Sequence, residues 1–276
     1  MEAMIPVTDA HCHVFPELIA DRSRDAVAAF YELPMYTTGT AAHLKAERER
    51  PICIGGQDYR IVRQLVCAPA VTPHQTHSVN AFISALVRED PALIGLGTLH
   101  PGNEDAPALL GTFREQGLVG LKLHSDFQRF PIDDPGMYPV YEEAIRLGLP
   151  VLFHMGDRKL DYSHPARLRR LMQDLPGLTV IAAHTGGYSH WKDALALLEP
   201  SERLYFDISS TLQFITGDLL ADFLDRFGAG HFFFGSDFPM WDPVRELETL
   251  LSFSLPDAVL PGLLHGNFSR FWADHV

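Results

Sequence analysis

Basic charge is scarce in this 276-residue chain: 22 Lys and Arg stand against 35 Asp and Glu, a formal net charge of −13. A polyanion such as nucleic acid or an anionic membrane needs a basic stripe to be attracted, so neither is expected as a partner. The densest basic cluster, Arg167 to Arg170, falls on a predicted helix face and reads as solvated surface. Cysteine is equally sparse. Cys12, Cys53 and Cys67 are odd in number and lack CxxC spacing, which points to free thiols and away from a disulfide framework or a structural zinc site. No apolar run approaches the ~20 residues of a membrane span, and the N-terminal MEAMIPVTD has neither the basic n-region nor the apolar h-region of a signal peptide. A cytoplasmic protein acting on a small molecule is the expectation. Also missing is any GxGxxG or GxxxxGK[ST] after a strand-like run, which removes the main support for nucleotide binding on an open doubly wound sheet.

What is present is alternation. Short apolar runs rich in β-branched and aromatic residues recur at Ile5 to Val14, Arg60 to Ala68, Ala92 to Leu99, Leu118 to His124, Pro150 to His154, Leu178 to His184, Arg203 to Ser209 and His231 to Asp237. Helical periodicity fills the gaps around Ser78 to Arg88, Ala106 to Gln116, Met137 to Leu147, Pro165 to Asp174, Trp191 to Leu198, Gly217 to Phe227 and Pro243 to Phe253. Eight strands with intervening helices predict an α/β fold, a TIM (β/α)8 barrel in a single domain spanning residues 1–276. Residues 15–59 depart from the pattern. They separate the first two strands by far more than a usual βα loop, carry helix-like fragments at Leu18 to Tyr31 and Ala41 to Arg50, and are expected either to cover the barrel mouth as a lid or to form an ordinary packing excursion.

The chemistry lies where the runs end. Side chains alternate across a strand, so His11 and His13 share a side, and Asp9 is expected to join them. At the C-terminal end of a barrel strand that side is the interior of the catalytic face, where a cation such as zinc can take both imidazoles. The fourth run ends in Lys122-Leu123-His124, the fifth in His154, the sixth in His184 and the eighth in Asp237. An ionisable group closing an otherwise apolar run costs several kcal/mol unless a metal or partner compensates, on the order of magnitude of a buried unpaired charge. Polar residues elsewhere, His74, His77, His100, Arg158, Tyr162 and Ser209-Ser210 in loops and His43 and Arg48 in the long excursion, read first as surface or structural groups.

In order, Asp9-Ala10-His11-Cys12-His13, Gly120-Leu121-Lys122-Leu123-His124, Pro150-Val151-Leu152-Phe153-His154, Ala183-His184-Thr185-Gly186-Gly187 and Phe234-Gly235-Ser236-Asp237-Phe238-Pro239 resemble the amidohydrolase superfamily. The likeness is to its family 2, the metal-dependent hydrolase branch related to aminocarboxymuconate-semialdehyde decarboxylase. That resemblance implies His11, His13, His154 and Asp237 as metal ligands, with Asp237 also moving protons and His184 acting as acid/base or substrate polariser. It implies one divalent ion, zinc foremost with manganese or iron as alternatives, and two ions if Lys122 is carboxylated and bridges them. Otherwise Lys122 is expected to bind a substrate carboxylate or to pair with an acid inside the barrel. Relatives of this kind suggest a homodimer.

Such a site activates water against an amide, ester or lactone of a small carboxylated molecule, the reading placed first. Its nearest rival is a non-oxidative decarboxylase using the same ligands. A non-catalytic ligand-binding barrel is the third reading, weakened by the completeness of the residue set.

Overall fold

A computed structural model describes residues 4–273. The chain opens with β1 (Ile5–His13), then α1 (Glu17–Tyr31), α2 (Ala41–Glu49), β2 (Ile52–Ile54), β3 (Gln57–Cys67), α3 (Thr76–Glu89), β4 (Leu93–Thr98), α4 (Ala106–Leu110), β5 (Leu118–Leu123) and α5 (Ser125–Gln128). It continues through α6 (Tyr138–Leu147), β6 (Val151–Phe153), α7 (Pro165–Asp174), β7 (Val180–Ala182), α8 (Trp191–Leu197), β8 (Leu204–Asp207), α9 (Gly217–Phe227), β9 (Phe232–Phe233), α10 (Pro243–Ser252) and α11 (Asn267–Ala273). All of the eight predicted runs contain a strand. They are joined in parallel in the order β1, β3, β4, β5, β6, β7, β8, β9. The ring closes where Ala10 N–H donates to Phe234 O (2.9 Å) and His13 N–H to Phe238 O (2.6 Å). This is a (β/α)8 barrel. The predicted 106–116 helix is shorter than expected, breaking at Gly111 and resuming as one 3₁₀ turn at Arg114–Gln116.

Local chemistry explains the element ends. Thr216 and Asp242 accept the N–H groups of Leu219 and Val244 to cap α9 and α10, and α6 stops at Gly148 with φ 65°. Two apolar layers result. The outer one lies between strands and helices; the inner one fills the barrel with Leu65, Leu96, Leu152, Ile181 and Phe233. Phe268, Phe271 and Trp272 of α11 pack on that inner layer and seal one end, which leaves polar side chains to the other.

Two features escaped the sequence reading. β2 pairs antiparallel with β3 across the Gly55-Gly56 turn, extending the second strand into a hairpin. More consequential is a shift in the β1–β3 register between Asp9 and Cys12. It breaks strict alternation, and Asp9 does not join His11 and His13. Its carboxylate instead takes the N–H (2.8 Å) and Oγ–H (2.5 Å) of Ser236 beyond β9. Asp9 therefore ties the two seam strands together.

Candidate metal centre and pocket

His11 is fully buried, and its Nδ1 lies 3.0 Å from Asp207 Oδ2 at the end of β8. The carboxylate demands an N–H there, so Nδ1 holds the proton and Nε2 keeps its lone pair. Burial, with the Lys122 ammonium beside the ring, pushes His11 down to about 4. Burial alone would raise Asp207, but His11 outweighs it and holds that carboxyl below its ordinary value.

Three donor atoms converge. His11 Nε2 lies 3.2 Å from His13 Nε2, and Asp237 Oδ1 lies 3.7 Å and 3.4 Å from the two nitrogens. Ligands about 2.0–2.1 Å from one ion in a tetrahedron stand about 3.4 Å apart, so the set fits a single divalent cation. Burial works to raise Asp237, yet His11, His13 and His184 hold it well below the ordinary carboxylate range, in the ionised form that coordinates.

His154 and His184 make a second pair. His184 Nδ1 faces Ser209 O at 3.0 Å and His154 Nε2 faces Gly156 O at 2.9 Å, so each of these nitrogens carries its ring's proton. The remaining nitrogens, His184 Nε2 and His154 Nδ1, meet at 2.9 Å. Two lone pairs at that distance repel, and a cation or proton between them relieves the repulsion. Burial pushes both rings below the ordinary imidazole value, which favours the neutral, ligating form. His184 also stacks on His11 with centroids 5.2 Å apart, joining the two groups. Among the described residues no hydrogen bond links His154 directly to His11 or His13; its neighbour is His184.

Lys122 is fully buried with Nζ 3.0 Å from His11 Nε2. Among the described residues no carboxylate lies within ion-pair distance of it, so the expected pairing with a barrel acid is absent. His124 is sandwiched between Phe127 (centroids 3.7 Å) and His154 (3.9 Å).

Over these groups lies a small pocket lined by Tyr31, Leu33, His154, His184, Tyr188, Ser210, Asp237, Met240 and Trp241. Ser210 Oγ–H donates to Asp237 Oδ2 (2.6 Å) and accepts the Trp241 indole N–H (2.8 Å). Gly156, which anchors His154, has φ 79°, and a Cβ there would stand 2.3 Å from Tyr188 O. His184, Thr185, Ser210 and Asp237, all bearing side chains, also have positive φ, from 46° to 58°. Backbone of this kind is sparsely populated and collects at functional sites.

Tyr31, Asp207, Tyr188 and Trp241 were missed as site residues, and Ser209 and Ser210 were set aside as structural. Asp207 alone had a usable signal, an acid near the end of an apolar run like the others. His74 and His77 are exposed, and Arg48 pairs with Asp90. Behind Asp9, Glu246 of α10 is 1% exposed, and neither carboxyl oxygen has a hydrogen-bond partner. Burial, then the charges of Asp237, Asp9 and Asp242, push it up to about 9.

Comparison with known proteins bears on the fold and the family. The chain is 30% identical over 132 residues to a 2-amino-3-carboxymuconate-6-semialdehyde decarboxylase of Dictyostelium discoideum, covering 40% of this chain and only 37% of that protein's length. Its fold is similar to an uncharacterised TIM-barrel protein of Bordetella bronchiseptica (TM-score 0.79, 18% identity, 98% and 99% of the two chains). It is also similar to 5-carboxyvanillate decarboxylase of Novosphingobium aromaticivorans, solved with manganese and 4-hydroxy-3-methoxy-5-nitrobenzoic acid (TM-score 0.75, 13% identity, 98% and 96%). Among the described residues no helix is long and apolar enough to cross a membrane. The amidohydrolase family model matches residues 8–273, nearly the whole chain, and the protein belongs to the amidohydrolase family.

Proposed function

We propose that this chain is a metal-dependent, non-oxidative decarboxylase of a small planar carboxylic acid. The observation that carries the reading is the pocket: a small chamber walled by Tyr31, Tyr188 and Trp241 over imidazoles and one ionised carboxylate. Flat aromatic walls suit a ring or conjugated chain. The decarboxylases among the similar proteins support this order, which reverses the sequence-based preference for hydrolysis. His11, His13 and Asp237, with His154 and His184 alongside, are the residues that would hold the metal. When bound, a divalent ion supplies a Lewis acid that anchors substrate oxygens and offsets their charge.

Decarboxylation replaces a carboxylate on carbon by a proton, so the site must deliver that proton and orient the leaving group. Asp237 is the proton carrier in this scheme. It rests ionised, one oxygen toward His11 and His13 and the other held by Ser210, so it can take a proton from a substrate hydroxyl and return it to carbon. Trp241 fixes Ser210 and thereby the carboxylate plane. Lys122, buried under the metal-binding groups, adds positive charge near the developing anion. The test is a panel of hydroxybenzoates and unsaturated carboxylates against lactones and amides, with released carbon dioxide measured directly. Carbon dioxide release that stops on chelation and returns with manganese or zinc is expected. Turnover of a lactone or amide alone would reverse the assignment, since the same ionised Asp237 can deprotonate water.

A further inference from the structure

The hydroxyl of Tyr31 stands in the pocket between two histidines, 3.1 Å from His124 Nε2 and 3.2 Å from His154 Nε2. The destination of its proton follows from the partners of those rings. His124 Nδ1 accepts the backbone N–H of Phe127 (3.4 Å), so in the neutral ring Nε2 carries the hydrogen. His154 Nε2 is likewise committed to an N–H by Gly156 O. Both nitrogens that face Tyr31 are donors. The phenolic oxygen accepts, and its own O–H finds no acceptor on either ring. On this half-buried residue the O–H is left without an acceptor on either ring, and it is satisfied when an anionic oxygen enters beside it.

We propose that Tyr31 is a substrate-binding residue, its O–H donating to an anionic oxygen of the ligand, so that α1 contributes part of the binding site. The inference rests on the pocket's being that of a planar acid. Tyr31 is the last residue of α1, and Glu32 follows in a left-handed conformation with φ 58°. The ring packs edge-on against Tyr188 (5.8 Å) and near Phe127 (5.9 Å), so its direction is fixed. Glu32 pairs with Lys159 at 2.7 Å, fastening the end of α1 to the loop after β6 that also carries Gly156. The barrel supplies the two imidazoles and α1 supplies the hydroxyl between them.

Manganese-loaded wild type and Tyr31→Phe are titrated with 4-hydroxy-3-methoxy-5-nitrobenzoate and with a neutral analogue, 3,4-dimethoxynitrobenzene, reading quenching of tryptophan fluorescence. The Phe variant is expected to bind the anion tenfold or more weakly while its affinity for the neutral ring stays within about twofold, as for loss of one charge-assisted hydrogen bond. Equal affinity of both proteins for the anion overturns the role of Tyr31. Equal loss of both probes marks a collapsed pocket and also counts against it. Wild type that binds the neutral ring but not the anion defeats the planar-acid reading, and the proposal falls with it.

Discussion

Replacing Glu246 by Gln should change how stability depends on pH, by an amount that follows from burial. In the folded chain the carboxyl keeps its proton up to about 9, against an ordinary value of 4.5. The unfolded chain releases that proton near 4.5, so between these values it binds fewer protons than the folded chain, and stability falls as pH rises. Below 4.5 both states are protonated and the effect vanishes; above about 9 the full penalty is present. Each pH unit inside the window is worth about 1.4 kcal/mol for a full proton, so from pH 6 to pH 8 the native chain loses on the order of 3 kcal/mol through this one group. Glu246→Gln keeps the shape and cannot ionise. Its stability relative to wild type should therefore rise by on the order of 3 kcal/mol over that interval, whatever constant offset the buried amide introduces. Urea denaturation of both proteins at pH 6, 7 and 8, with comparable slopes, measures the difference directly. Parallel pH profiles would refute the reasoning and would mean that the folded site stabilises the carboxylate.

Asp207→Asn should release His11 from its fixed tautomer and weaken metal binding by about 10–100-fold, measured by competition with a chromophoric chelator; unchanged affinity would show that Asp207 does not set the ring. Gly156→Ala forces a Cβ to within 2.3 Å of Tyr188 O at φ 79°. It should cost more than ~1 kcal/mol in urea denaturation and weaken metal binding through the displaced His154, and a variant matching wild type in both would contradict the anchoring role. Ser210→Ala should lower kcat more than it raises KM, because it frees the Asp237 carboxylate while the Trp241 ring in the wall loses only its indole N–H acceptor. An unaltered kcat would remove Asp237 positioning from the mechanism.

The barrel was legible because strand-forming runs and helical faces alternate at short range, and because signals such as Gly148 lie where elements end. His11, His13, His154, His184 and Asp237 stood out since an ionisable group closing an apolar run needs a physical reason. Asp9 was misplaced for a clear cause: alternation assumes an unbroken register, and the shift between Asp9 and Cys12 depends on pairing with β3. Tyr31 was invisible because an aromatic residue on a helix face reads as packing, and only the docking of α1 brings it above His124 and His154. The positions of Ser209 and Ser210 beside His184 and Asp237 depend on how the turn after β8 folds, which residue type does not reveal.

The two ends of this barrel invite different kinds of change. At the sealed end Phe268, Phe271 and Trp272 interlock with the inner layer, whereas the mouth holds His184, Thr185, Ser210 and Asp237 in backbone conformations that cost on the order of 1–3 kcal/mol each. A laboratory selection for thermal endurance alone would find its easiest gains by relaxing those four positions, and each gain would erode turnover. Engineers seeking a hardier enzyme should work on the outer helices and the α11 plug, and screen for activity at every round.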